Sequence, residues 1–309
     1  METIISPIEK SLLEKELTDE IFVRETNYGR NEIYIFDHHN SPNLMKEVGR
    51  LREITFREAQ GGTGKSLDID AYDTAETPFK QLIVWNPEEK EIIGGYRFIH
   101  CKNLKIDNDG NVQTPTARLF TYSDKFIKEY LPYTIELGRS FVQPEYQPSK
   151  NIRRGMYSLD NIWDGLGAII ADHKDGKYLF GKVTMYSHFQ REARDLILYF
   201  MHLYFPDNDA LVSPHKPMQY THDTNKMGKV FEGGDYDKDY KTLIQTVRQL
   251  GENVPPLFTS YMNVSTTMKT FGTALNDHFG EVEETGIMVT TEDIHILKKE
   301  RHIYTYKPL

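Results

Sequence analysis

Thr134-Ile-Glu-Leu-Gly-Arg-Ser-Phe-Val-Gln-Pro-Glu-Tyr146 is the stretch on which the reading of this chain turns. Ile135, Leu137, Phe141 and Val142 are the apolar, strand-favouring residues of a buried β-strand, and Pro144 stops it. Glu136 and Arg139 interrupt that pattern. Buried charge is costly unless it is paired or used, so these two are either a structural ion pair at a sheet edge or part of a site. Strand parity puts their side chains on opposite faces. A bulge at Gly138 would change the count and aim both at one cleft.

The flanking sequence supplies the rest of an α/β fold. Ser41-Pro42 is a helix start, and Leu44, Val48, Leu51, Thr55 and Glu58 follow at helical spacing to about Ala59. Gln81–Trp85 and Glu91–Phe98 read as two strands around the turn 86–90. Ser123 caps a short helix over 123–131. Beyond the central strand, Met156, Leu159, Ile162, Trp163, Leu166, Ile169 and Ile170 form an apolar helical stripe. A strand over 178–186 and a helix over about 190–204 come next. Residues 206–235 read as a long loop, 236–250 as a helix, and segments near 285–290 and 301–307 as late strands. Residues 1–40 hold a short helix and a peripheral strand. A hairpin followed by strand–helix–strand–helix predicts a mixed, partly parallel sheet flanked by helices.

Composition narrows the class. The 309 residues are 39% hydrophobic and 27% charged, which is ordinary for a globular protein. A net charge of −9 argues against a nucleic-acid binder, which needs a basic face. A single cysteine, Cys101, excludes an intrachain disulfide and suits a cytoplasmic protein. It reads as a small, partly buried residue. The N-terminus lacks the pattern of a secretory signal, and no apolar run approaches the ~20 residues of a membrane span. Ala59-Gln-Gly-Gly-Thr-Gly-Lys-Ser66 imitates a phosphate-binding loop, but a helix precedes it and the carboxylates Asp68, Asp70 and Asp73 follow it. It is read as a mobile loop bordering a cleft. Those aspartates lack the Gly and distal Glu of a calcium loop, and the eleven histidines show no HExxH pattern, so no metal is expected.

Taken in order, Leu51-Arg52 with Phe56, the aspartates 68, 70 and 73, Gly95-Tyr96-Arg97-Phe98 and Glu136-Leu137-Gly138-Arg139 form a familiar series. The series resembles the GNAT-related acyltransferases that take long acyl chains from acyl carrier protein. Bacterial ornithine-lipid and glycine-lipid N-acyltransferases, often labelled hemolysin-like, belong there, and acyl-homoserine-lactone synthases are more distant. Leu159–Leu166, Tyr178–Gly181 and Val254–Tyr261 resemble further segments of that family, so the likeness spans about residues 44–293. It implies a GNAT-like acyltransferase domain over 43–309, an N-terminal extension over 1–42 and an elaborated C-terminal part.

By the same resemblance, a long acyl chain, including a 3-hydroxy one, would pass from acyl-ACP or acyl-CoA to the amino group of an amino acid such as glycine or ornithine. The product would serve aminolipid synthesis, and no cofactor would be tightly bound. Glu136 would be the general base. Arg97 and Arg139 would orient the acceptor or pair with neighbouring carboxylates, and Arg52, Asp68, Asp70 and Asp73 would complete the acceptor site. GNAT enzymes usually cradle the donor pyrophosphate in a Gln/Arg-x-x-Gly-x-Gly/Ala turn. Here Ile152 and Tyr157 replace two of its residues, which favours a carrier-protein donor received by Lys150, Arg153 and Arg154. Lys298, Lys299 and Arg301 offer a weaker basic cluster for peripheral contact with the inner membrane surface. The readings left open beside this one are a non-catalytic acyl-binding or regulatory module and transfer to another amine or hydroxyl. Membrane lysis does not suit the sequence, which has no segment able to insert.

Overall fold

Proline at the first turn and an apolar stripe make the first long helix. In the computed structural model, which describes residues 1–104, 106 and 112–308, the N-terminal part holds α1 (Lys10–Glu16), β1 (Phe22–Glu25), β2 (Glu32–Phe36) and α2 (Pro42–Glu58). The hairpin β3 (Lys80–Asn86) and β4 (Glu91–His100) follows, then β5 (Phe120–Tyr122) and β6 (Thr134–Val142). Ser123 does cap the short helical segment between these two strands, its Oγ accepting from Phe126 N at 3.1 Å. The chain continues through α3 (Ile152–Gly155), α4 (Ser158–Asp172), β7 (Tyr178–Met185), α5 (Arg191–Tyr204), β8 (Val212–Pro214) and α6 (Thr224–Met227). It ends with α7 (Tyr236–Gln249), α8 (Pro256–Met262), β9 (Lys269–Asn276), β10 (Val282–Thr290) and α9 (Ile296–Lys298).

Eight strands form one sheet in the order β1-β2-β3-β4-β6-β7-β10-β9. Every neighbouring pair is antiparallel except β6 with β7. Residues 1–42, expected to be an extension, therefore contribute two strands, β1 and β2, to the same sheet. Period-two alternation divides the core between the two faces. Leu82 and Val84 of β3 join the cluster of Ile162, Leu166 and Ile169 on α4, whereas Ile83 and Trp85 join that of Leu44, Val48 and Leu51 on α2. Each such side chain contributes roughly 1.5–3 kcal/mol by leaving water.

The C-terminal third departs from expectation. The stretch 301–307 is not a strand: Lys299–Ile303 is helical and packs on α4. The buried His302 Nδ1 lies 2.8 Å from Asp164 Oδ1, and a Cβ on Gly167 would meet the His302 carbonyl oxygen at 2.1 Å. That close approach overrides a local pattern that favours β. The loop 206–235 carries the short β8 and α6, and β9 and α8 were not foreseen. Among the described residues, no helix is long and apolar enough to cross a membrane.

Candidate active site

Parallel pairing of β6 with β7 lasts only from Thr134–Tyr178 to Glu136–Phe180, after which the strands part. Two cavities share a wall at the split. The one on the α4 face is apolar, walled by Leu159, Trp163 and Leu166 of α4, Tyr261 of α8 and Ile287 of β10. On the α2 face lies a polar chamber lined by Arg97, Thr116, Glu136, Lys182 and Glu284. The two share Leu137–Ser140 and Lys182. The chamber shares Arg97, Arg139 and Lys182 with an outer basin.

Glu136 sits at the centre of the sheet rather than at an edge, and it is buried. It makes no pair with Arg139. Its Oε1 accepts from Thr116 N at 3.2 Å and Thr116 Oγ1 at 2.7 Å. Its Oε2 is buried without a hydrogen-bond partner. Burial pushes the carboxyl up from its ordinary range, against the opposing pull of the threonine bonds and of Lys182. A carboxylate on the wall of a chamber that keeps one buried oxygen without a partner can take a proton.

A bulge accompanies it, one residue beyond the expected position. Arg97 pairs with Gly138 and Gly95 with Phe141, so Tyr96 alone opposes Arg139 and Ser140. Arg139 has φ +54°, uncommon for a residue with a side chain. Its Nε lies 2.8 Å from Asp68 Oδ2, and its guanidinium lies over the Phe279 ring at 4.1 Å. Arg139 thereby lines the same chamber as Glu136.

The remaining acceptor candidates form a buried charge network. Arg97 donates to both oxygens of Asp70, at 2.8 and 2.9 Å, and lies 2.9 Å from Asp73. Arg52 is fully buried behind them, 3.4 Å from Asp73 and bonded to Gln81; it lines none of these cavities. Burial works to raise the Asp73 carboxyl, but the Arg97 and Arg52 guanidiniums outweigh it and hold it well below the usual carboxylate range. At Asp68 burial wins over Arg139 and raises the carboxyl. Asp70 lines the outer basin.

The cations assigned to the carrier lie elsewhere. Lys150 pairs with Glu58, and Arg154 lies 3.1 Å from Glu91 with its guanidinium 4.5 Å over Tyr146. Arg153 is exposed. None of the three lines the cavities just described. The imitation phosphate loop is filled by the chain itself, because the Glu53 carboxylate accepts from Thr63 N at 3.1 Å, Thr63 Oγ1 at 2.7 Å and Gly64 N at 2.8 Å. Cys101 is buried, which pushes its thiol up. Of the second basic cluster, Arg301 pairs with Asp160 at 2.9 Å and Lys298 lies over Trp163.

Sequence reasoning missed Tyr96, Lys182 and Thr116. The Tyr96 hydroxyl is buried, has no partner and lines the apolar cavity. Burial, with Tyr261 beside it, pushes it well above its usual range. Lys182 lies 2.9 Å from Glu284 Oε2, so its charge is matched inside the chamber. Among the described residues, no group of three or more His, Cys, Asp or Glu is placed to hold a metal.

Residues 51–156 match the acetyltransferase (GNAT) domain. Over 306 residues, 99% of this chain, the sequence is 49% identical to the glycine N(alpha)-acyltransferase of Phocaeicola vulgatus, 94% of whose length is matched. It is 50% identical over 306 residues to the glycine N(alpha)-acyltransferase of Bacteroides thetaiotaomicron, again across 99% of this chain and 91% of the relative. Among solved structures, a CoA-dependent acyl-homoserine lactone synthase with SAM and isopentyl-CoA aligns with 54% of this chain and 72% of its own, at 14% identity and a TM-score of 0.32. A second acyl-homoserine lactone synthase aligns with 49% of this chain and 71% of its own, at 16% identity and a TM-score of 0.28. The chain belongs to the GNAT acyltransferases, within the family of the glycine N(alpha)-acyltransferases, and it is an acyltransferase.

Proposed function

We propose that the protein moves a long acyl chain from the thioester of an acyl carrier protein to the amino group of glycine, making an N-acylated amino acid for aminolipid synthesis. One observation carries this reading: Glu136, with its unbonded Oε2, lines the polar chamber at the last paired residue of β6, next to Leu137, where that chamber and the apolar cavity share their wall. The acyl chain occupies the apolar cavity, the thioester carbonyl lies at the split, and the amine enters from the chamber. The amine nitrogen attacks the carbonyl carbon while Glu136 accepts its proton. The tetrahedral intermediate then collapses, the C–S bond breaks, and the thiolate leaves and takes up a proton. Water exclusion by the α4 and α8 walls protects the thioester from hydrolysis.

Arg97 and Arg139, with Asp68, Asp70 and Asp73, form the rigid wall that orients the acceptor, and Arg52 braces Asp73 from behind. Glycine as acceptor is supported by the names of the two relatives. A carrier donor is supported by the turn before α4, where α3 has only four residues and Ile152 stands in place of a polar side chain. Arg153 is its least engaged cation, and peripheral membrane contact would use the exposed Ile296 and Leu297 beside Lys298.

The test is thiol release from 3-hydroxyacyl-ACP and from saturated acyl-ACP, each against glycine, ornithine, serine and lysine, with products identified by mass. Glycine-dependent release with an N-acylglycine product is expected. Release with another amino acid alone overturns the acceptor, and none with any pair overturns the reaction.

A further inference from the structure

Resting on that reading, we propose that Arg118 and Lys216 bind the carboxylate of the amino-acid acceptor at the mouth of the chamber. The charges of the outer basin single them out. Arg97 is matched by Asp70 and Asp73, Arg139 by Asp68, and Lys182 by Glu284. The side chains of Arg118 and Lys216 line the basin and, among the described residues, carry no ion pair or hydrogen bond. Of the acidic residues on the basin, Asp70 is held by Arg97 and Asp277 lies 3.5 Å from His278.

Both cations are placed by the strap that holds Glu136. Thr116, whose N–H and hydroxyl bind the Glu136 carboxylate, stands two residues before Arg118. Two residues of chain span at most about 7 Å, so Arg118 starts within side-chain reach of the carboxylate's neighbourhood. His215 N donates to Leu119 O at 2.9 Å, and His215 Nε2 lies 3.1 Å from Ala117 O, which fixes Lys216 beside the strap. On its other side Pro217 bridges to Ala274 of β9. Two unmatched cations thus stand on the outer basin, which shares Arg97, Arg139 and Lys182 with the chamber that Glu136 lines. A zwitterionic α-amino acid has the complementary polarity, its amine toward Glu136 and its carboxylate toward Arg118 and Lys216. Arg presents a planar fork suited to a carboxylate, and Lys adds a point charge.

The experiment compares glycine with glycinamide for the wild type, Arg118→Gln and Lys216→Gln, with the KM for acyl-ACP and the Tm measured in each. Wild type should prefer glycine, and either variant should cut the ratio of kcat/KM for glycine to that for glycinamide by about 10- to 100-fold, mainly through the KM for glycine. The Tm should hold, since neither side chain has a partner to lose. An unchanged ratio overturns the proposal. A rise in the KM for acyl-ACP with the ratio intact also overturns it, and assigns the pair to the donor's phosphate. Failure of the wild type on both acceptors removes the underlying reaction instead.

Discussion

Glu136→Gln separates catalysis from packing because the two roles predict opposite changes in stability. The substitution keeps the side-chain shape and an oxygen for Thr116 to bond. If Glu136 takes the amine proton, kcat/KM should fall by about 10²- to 10⁴-fold. The fold should meanwhile gain. A buried polar group without a partner costs about 1–3 kcal/mol and more when charged, and Glu136 Oε2 is such an atom. Where the folded carboxyl is ionised, replacing it by a neutral amide should return on the order of 1 kcal/mol, roughly 1–3 °C in Tm for a chain of this size. The sign follows from burial, which raises the folded pKa above the unfolded one. The stability associated with this carboxyl is complete below the unfolded pKa and is lost as pH rises through the folded value. The gain in Tm from the variant should therefore vanish in acid. The same raised pKa places the acid limb of wild-type kcat/KM above the ordinary carboxylate range. Calorimetry across pH, with the thiol-release assay alongside, measures all of this. A lower Tm at neutral pH with turnover kept within threefold would refute the assignment and make Glu136 a structural residue.

Three further substitutions probe the surrounding parts. Tyr96→Phe removes a buried hydroxyl that has no partner, so Tm should rise slightly, by the equivalent of about 1 kcal/mol; a fall in calorimetry would show that the hydroxyl is bonded in the resting protein. Arg97→Ala strips the buried Asp73 of its nearest cation and should cost about 3–5 kcal/mol in denaturant titration, whereas a loss under 1 kcal/mol would mean Arg52 suffices. Gly181→Ala drives a methyl to within 2.7 Å of the Leu137 carbonyl oxygen at the start of the strand split. It should destabilise by about 1–3 kcal/mol and lower turnover with long-chain donors, and unchanged kinetics would show that the split tolerates widening.

The parts of this protein that sequence disclosed are those whose signals are local. Pro42 with the stripe Leu44, Val48 and Leu51 announces α2, and the turn between Trp85 and Glu91 announces the β3–β4 hairpin. β9 hides because Gly272, at φ +83°, breaks its run, and Lys299–Ile303 hides because docking on Gly167 of α4 decides its shape. The site divides along the same line. Glu136 stands out as a charge in an apolar strand, while Thr116, which holds it, lies 20 residues earlier in an irregular strap. Lys182 alternates with buried neighbours as an ordinary polar residue of β7, and only its 2.9 Å contact with Glu284 places it in the chamber.

The bulge ties fold to chemistry. On a regular strand Glu136 and Arg139 would face opposite ways, and the cavity would lose one of them to the other side of the sheet. Sequence put the irregularity at Gly138, the residue that adopts unusual backbone most freely. The structure puts the positive φ on Arg139 instead, where a side chain costs of order 1–3 kcal/mol. What offsets that cost is visible: the Nε contact with the buried Asp68 and the stacking over Phe279. The surrounding structure therefore dictates the strained conformation. Glycine at 138 is left beside Arg97, where a Cβ would meet Nε at an ordinary 3.7 Å, so space alone does not require it. A backbone that stores strain under a guanidinium, a carboxylate with one oxygen unbonded and the end of the β6–β7 pairing thus fall within four residues of one strand, the kind of local departure from regular structure that the proposed reaction would use.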